Sequence, residues 1–180
     1  MNKNNVDAKD GEGSVRSKRT HEFGSHSVEF CGQQLILQAQ VHAERTTSGQ
    51  AEWFISDRSG ADPIIYARKY VSEDAAEDLA GSVDWLQLRD RMRKSMVIVC
   101  EAGADWLTDD GVRLMPESGE EWISFHELFC SCLDKWEVNY RVLLCDITEA
   151  YDRLAFVLKS WDGVRASRLL QSPNVEAETR

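Results

Sequence analysis

Residues 34–44, QLILQAQVHAE, carry the pattern on which the fold prediction depends. Along this stretch Leu35, Leu37 and Val41 lie on one side of an extended chain, and polar side chains such as His42 lie on the other. An alternation with a period of two and one apolar face is typical of a half-buried antiparallel strand. Turn residues follow, and two further alternating segments complete a predicted three-stranded meander with strands at Gln34–Glu44, Ala51–Asp57 and Ile64–Val71.

Downstream of the meander the spacing of apolar residues becomes mainly helical. Ser72 is followed by two acids, which is typical of a helix start. The predicted helix runs toward Lys94, and an interruption at Gly81-Ser82 is left open. The capping-box pattern at Ser124 predicts a second, core-facing helix. The other predicted elements are a central strand at 96–100, a short hairpin within 106–115, a buried strand at 138–145 and a last helix at 148–161 that stops at Gly163. This order predicts an α+β fold with a mainly antiparallel sheet and about three helices.

The domain organisation follows from composition along the chain. Residues 1–27 are rich in Asn, Lys, Gly and Ser, and such a segment buries too little apolar surface to offset its ordering entropy. We therefore predict a disordered tail at 1–27, a single globular domain at 28–171 and a flexible C-terminal tail at 172–180.

Charge excludes some partners. The chain has a formal net charge of −10 at pH 7, and an acidic body repels the phosphate backbone that gives most non-specific nucleic-acid affinity. The same charge favours a basic protein surface as the partner, and direct nucleic-acid binding is not expected. The apolar runs are too short for a membrane span. The oligomeric state is left open by the sequence.

The five cysteines indicate the compartment. They are odd in number, show no disulfide-framework spacing, and lie mostly in apolar runs where a thiol behaves as a small hydrophobic group. The N-terminus has no apolar segment of the secretory type. These features predict a protein of the reducing cytoplasm.

An acidic stretch between Glu101 and Glu127 is the strongest candidate for a binding surface. It holds eight carboxylates against the single Arg113, with two tryptophans among them. Charge steers an encounter with a basic partner, and a buried indole provides much of the holding energy. The predicted partner-binding residues are Asp105, Trp106, Asp109, Asp110, Glu120, Glu121 and Trp122.

Patterns for catalysis and for cofactors are weak. No glycine-rich phosphate loop and no nucleophile elbow is present. His126 and Cys130 are spaced like two metal ligands on one helix face, but no third ligand is evident, so we predict no metal and no cofactor. His42 and His126 are the histidines available as bases outside the tail.

The preferred functional prediction is a non-enzymatic acidic binding module, such as an inhibitor, an immunity-type protein or an adaptor that masks a basic surface. The alternative is a small hydrolase or a nucleotide-modifying enzyme that uses His42 or His126 with nearby carboxylates. A steep loss of binding with salt would favour the first function.

Overall fold

The fold is mainly helical, with one pair of parallel strands. The computed structural model describes residues 13–104 and 116–171, with side chains at 29–104 and 116–166. The elements are α1 (Gly13–Ser48), α2 (Ala61–Tyr70), α3 (Glu73–Ala80), α4 (Val83–Met92), β1 (Val97–Cys100), α5 (Gly119–Lys135), β2 (Tyr140–Leu143) and α6 (Ala150–Gln171). The chain divides into two compact units, Met1–Gly81 and Ser82–Arg180.

The first unit contains α1, α2 and α3. Leu37 and Val41, one turn apart on α1, are buried, and α1 packs against α2. The buried face of α2 includes Ile64 and Ile65, and α3 packs on α2 through small side chains such as Ala76. Burial of these apolar residues on one side of each helix stabilises the unit.

An ion-pair network joins α2 to α3. Arg68 Nε donates to Glu73 Oε2 at 2.8 Å, and its Nη2 donates to Glu77 Oε1 at 2.8 Å. The Ser72 side chain accepts from the backbone N–H of Ala75 and caps α3, as the sequence predicted. The short connection between α2 and α3 is therefore held by the Arg68 ion pairs and by the Ser72 cap.

The predicted antiparallel meander is wrong. Residues 34–44 lie inside α1, residues 64–70 lie in α2, and no strand forms at 51–57. Gln, Ala and Leu, which fill most of 34–44, are strong helix formers, and the spacing from Leu37 to Val41 is also one helical turn. Position 35 separates the two interpretations, because Leu35 is 65% exposed whereas Leu37 is 1% exposed.

The strand predicted at Ile64–Val71 is instead part of helix α2. Ser59 provides acceptors for the first N–H groups of this helix: Ala61 N–H donates to Ser59 Oγ at 3.2 Å, and Asp62 N–H donates to the Ser59 carbonyl at 3.3 Å. Asp62 accepts from the backbone N–H of Ser59 at 2.9 Å and from its hydroxyl at 2.7 Å. Pro63 lies in the first turn, where a helix needs no N–H donor. Asp62 and Pro63, which directly precede the predicted third strand, thus lie in the first turn of α2.

The second unit contains a β–α–β arrangement. β1 pairs with β2 in parallel, with Val97 opposite Tyr140 and Cys100 opposite Leu143. The strands at these positions were predicted from their apolar runs, but the antiparallel sheet was wrong. Helix α5 lies between the strands in sequence and returns the chain to the same end, so the two strands run in one direction.

The start predicted for α5 is also wrong. Ser118, not Ser124, is the N-cap, and its hydroxyl accepts from the N–H of Glu121 at 3.1 Å. The Glu121 carboxylate in turn accepts from the N–H of Glu117 at 2.8 Å. Two Ser-x-x-Glu patterns follow each other here, and the earlier one begins the helix.

Helix α5 ends in a turn that is held by α4. Trp85 of α4 packs on Trp136, with ring centroids 4.5 Å apart and planes tilted by 60°. Arg93 Nε donates to the Trp136 carbonyl at 3.0 Å, and its Nη2 pairs with Glu137. Glu137 has φ of 56°, the left-handed conformation in which helices commonly end.

Helix α6 differs from its prediction in both length and orientation. It continues through Gly163 to Gln171. The apolar spacing of Tyr151, Leu154 and Leu158 favours a core-facing side, but these side chains are exposed, whereas Ser160 is buried. A Cβ at position 163 would lie 3.3 Å from Arg141 Nη2, so this glycine allows an arginine of β2 to approach the helix.

The predicted tails and hairpin stay predictions. Helix α1 begins at Gly13, within the segment predicted to be a disordered tail. Residues 1–12, the predicted hairpin at 106–115 and the predicted C-terminal tail at 172–180 lie outside the described residues. The single domain at 28–171 stays a prediction.

Candidate functional site

The carboxyl ends of β1 and β2 meet at one edge of the strand pair. Glu101 follows β1, and Cys145 comes two residues after β2. One Glu101 oxygen accepts from the backbone N–H of Cys145 at 2.8 Å, and the Glu101 N–H donates to the Leu143 carbonyl at 2.9 Å. Open α/β sheets bind ligands just outside this edge, so the Glu101–Cys145 edge is the candidate site.

The Glu101 carboxylate is ionised at neutral pH. The backbone N–H of Cys145, then its thiol and the nearby charge of His126, hold the pKa of Glu101 below its usual value despite partial desolvation. The carboxylate in turn raises the pKa of the Cys145 thiol, mainly through their hydrogen bond. The edge therefore presents a charged acceptor beside a protonated thiol, which is a poor nucleophile.

The chain turns sharply after Glu101. Gly103 has φ of 86°, and no heavy atom lies within 4 Å of where a Cβ would be, so backbone conformation and not space favours glycine there. Ala102 and Ala104 on either side are buried. This turn fixes the backbone next to the carboxylate.

A row of titratable side chains lies along one face of α5. His126 Nε2 is 3.6 Å from Cys130 Sγ, and the Tyr140 hydroxyl hydrogen-bonds with Cys130 and Asp134. Burial raises the pKa of the Cys130 thiol. Burial, followed by the contact with Cys130, raises the pKa of Tyr140 to about 12. The Cys130 thiol and the Tyr140 hydroxyl therefore stay neutral at pH 7, and their contact joins the start of β2 to α5.

A tyrosine titration tests this arrangement. We expect Tyr140 to ionise only near pH 12, and Tyr140→Phe to remove that transition from the ultraviolet absorbance. Cys130→Ala should lower the pKa of Tyr140 without restoring the ordinary value, because burial is the larger cause. The exposed Cys31→Ala is the control and should change nothing. An unchanged titration in Cys130→Ala would contradict the contact.

The same shift gives a pH dependence of stability. The folded state favours the neutral phenol, so its contribution is complete below the ordinary pKa of 10 and is lost as the pH rises toward about 12. We expect Tyr140→Phe to remove this part of the alkaline loss.

The predicted partner-binding residues fall in two groups. Asp105, Trp106, Asp109 and Asp110 lie outside the described residues. Those that are described lie in the first turn of α5: Glu120 is exposed, and Glu121 and Trp122 are half-buried. Two acids suit the positive end of a helix dipole, which gives Glu120 and Glu121 a local role. A basic protein partner for these residues stays a prediction.

The two candidate histidines are in different units. His42 is exposed on α1. His126 lies in the second unit, close enough to Glu101 to lower its pKa. In the described part of the chain, no three His, Cys, Asp or Glu side chains converge as metal ligands, and none of its helices has the length and apolar character of a membrane span.

Sequence reasoning missed Glu101 and Cys145 as a pair. The available signal was an apolar strand followed at once by an acid, as in VIVCE at 97–101. Their meeting requires the parallel register, which the antiparallel prediction did not contain.

Comparison with known proteins identifies the family. Residues 15–150, more than half of the chain, match the family described as AAA domain. The chain belongs to the AAA domain family. No curated protein and no solved structure matched it.

Membership in the AAA domain family corrects the functional prediction. A non-enzymatic inhibitor, immunity-type or adaptor module is wrong, because an AAA domain indicates nucleotide binding of the P-loop NTPase type. The acidic stretch suggested a docking surface because its charges cluster in sequence. At Glu121, one of its members, the carboxylate instead accepts from the backbone N–H of Glu117, just before the start of α5.

The residues of this AAA domain do not fit a nucleoside triphosphate held by a P-loop. That mode requires the sequence G-x-x-x-x-G-K-[S/T], whose backbone N–H groups and lysine hold the phosphates, and the 180 residues contain no such sequence. The Glu101–Cys145 edge is acidic, with Asp146 exposed beside it, and carboxylates repel phosphates.

Proposed function

We propose that this AAA domain binds the nucleoside part of a nucleotide through its ribose hydroxyls at the Glu101–Cys145 edge. The observation that carries the proposal is the ionised Glu101 carboxylate, which bridges the carboxyl ends of two parallel strands. Ligands of open α/β sheets lie outside this edge. Family membership supports a nucleotide as the class of ligand.

The chemistry of the carboxylate favours hydroxyl groups. An ionised carboxylate only accepts hydrogen bonds and offers about four lone-pair positions. The backbone N–H and the thiol of Cys145 occupy part of this capacity. Neighbouring ribose hydroxyls are two donors that suit the remaining positions, as acidic residues do in dinucleotide-binding folds. The charge that attracts hydroxyl donors disfavours a phosphate at the same place.

Ligand titration tests the proposal directly. Calorimetry or ligand-observed NMR on the full chain would compare ribonucleosides, their 2′,3′-dideoxy forms, and the mono- and triphosphates with magnesium. We expect the dideoxy forms to bind much more weakly, and added phosphates to give little gain at this edge. A triphosphate that binds far more tightly than its nucleoside, with no effect of removing the ribose hydroxyls, would contradict ribose recognition.

Glu101→Gln should weaken ribonucleoside binding by about 10- to 100-fold, because a hydrogen bond to a charged group contributes about 1.5–3 kcal/mol. Glu127→Gln is the matched control, since Glu127 is an exposed carboxylate of α5 and loses the same charge. Residual dideoxynucleoside binding should be equal in both variants. Equal weakening of ribonucleoside binding in both would mean that charge alone matters.

A cytoplasmic setting belongs to this proposal. All five cysteines are unpaired by disulfides, with Cys132 buried, and a reducing compartment keeps such thiols intact.

A further inference from the structure

Two residues of α4 and its C-cap residue line up along one face of the helix. Trp85, Arg89 and Arg93 are spaced by four residues, which places their side chains one above another. The first and last of them contact the turn at Trp136, through ring packing and through the carbonyl respectively. Arg89 therefore lies one helical turn from Trp85 and one from Arg93, and both of these residues contact the chain reversal at Trp136.

Two buried donors on this face lack an acceptor among the described residues. The indole Nε1 of Trp85 and the Nε of Arg89 are inaccessible to solvent and make no hydrogen bond in the described part of the chain. Trp85 is wholly buried, whereas Arg89 is only half-buried. Buried N–H groups in proteins almost always have a partner, so each such group needs an explanation.

The chemistry of the donors defines the partner. An indole N–H and a guanidinium N–H can only donate, so the partner must be an acceptor, and the positive charge of Arg89 favours an anion. The acid of the adjacent turn, Glu137, is already paired with Arg93. Residues 83–94 also carry four cationic side chains against two carboxylates, in a chain of net charge −10.

We propose that α4 holds an oxyanion-binding site in which Trp85 Nε1 and Arg89 Nε donate to oxygens of one phosphate or carboxylate. Because Trp85 is wholly buried and Arg89 is half-buried, the anion would enter from the side of Arg89. This site goes beyond the ribose-binding edge, and neither proposal depends on the other.

NMR of the ¹⁵N-labelled full chain tests the site through the indole N–H of Trp85. At constant ionic strength, we expect sodium phosphate or sodium acetate to shift that resonance saturably, with chloride as the reference anion. If only phosphate shifts the resonance, the site binds phosphate groups. If only acetate shifts it, the site binds carboxylates. If neither anion shifts the Trp85 indole resonance, the proposal is overturned. That result is expected if the acceptor of the indole N–H is a bound water molecule.

Substitution of Arg89 separates this site from general charge. Arg89→Gln should weaken anion binding at least tenfold. Arg89→Lys keeps the positive charge but lacks the guanidinium N–H groups, so it should recover little of the lost affinity. Arg91→Gln removes the same charge from the same helix and should leave binding within about twofold, since position 91 lies off this face. Equal loss in Arg89→Gln and Arg91→Gln would overturn the proposal. All variants would first be compared by their amide spectra, and ribonucleoside affinity should stay unchanged in each.

Discussion

Leu37→Ala is expected to lower the free energy of unfolding of the first unit by about 2–5 kcal/mol, whereas Leu35→Ala should change it by less than about 0.5 kcal/mol. The two substitutions are chemically identical and two positions apart. Leu37 is 1% exposed and Leu35 is 65% exposed, because two residues span about 200° of an α-helix and so lie on nearly opposite faces.

This pair distinguishes the helix from the strand predicted for the same residues. In a strand, positions 35 and 37 share one face, and both substitutions would remove buried apolar surface. Urea unfolding followed by far-ultraviolet circular dichroism gives the two free energies. Similar losses at both positions would contradict α1, and a loss at 37 alone would confirm its orientation.

The elements that the sequence predicted correctly depend on local chemistry. The Ser72 cap needs only a hydroxyl followed by a helix-compatible segment with acids in its first turn. The strand at 97–100 is a continuous apolar run that is too short for a helix. The burial of Leu133 and Trp136 follows from their spacing on α5. Each of these features is decided within about one or two turns of the chain.

The elements that were predicted wrongly depend on competition between patterns. Residues 34–44 satisfy a period of two and also place Leu37 and Val41 at helical spacing, so periodicity alone does not decide between strand and helix. Helix propensity and continuity with the preceding residues decide it, since α1 extends over Gly13–Ser48. The start of α5 shows the same ambiguity between two capping patterns six residues apart.

The candidate site could not be predicted because its residues meet only in three dimensions. Glu101 and Cys145 are 44 positions apart and contact each other because β1 and β2 are parallel. The donors of Trp85 and Arg89 are likewise ordinary helix residues in sequence, and only their burial without an acceptor marks them. Clusters of charge are visible in a sequence, whereas contacts between distant residues are not.

Trp85→Ala is expected to destabilise the second unit by about 3–5 kcal/mol, and Trp136→Ala by a similar amount. Trp85 is wholly buried and its ring packs against Trp136 with centroids 4.5 Å apart. Tyr151→Ala is the control in the same unit, because Tyr151 is 80% exposed, and it should change the free energy of unfolding by no more than about 0.5 kcal/mol.

The double variant Trp85→Ala/Trp136→Ala measures the contact itself. Its loss should be smaller than the sum of the single losses, with a coupling of about 0.5–1.5 kcal/mol, because each single variant already removes the ring–ring contact. Additive losses would contradict a stabilising contact between the two indoles. A clear coupling places α4 against the end of α5, which is the packing that brings Arg89 beside that turn. The same cycle therefore tests the core of the second unit and the scaffold on which the proposed anion site is built.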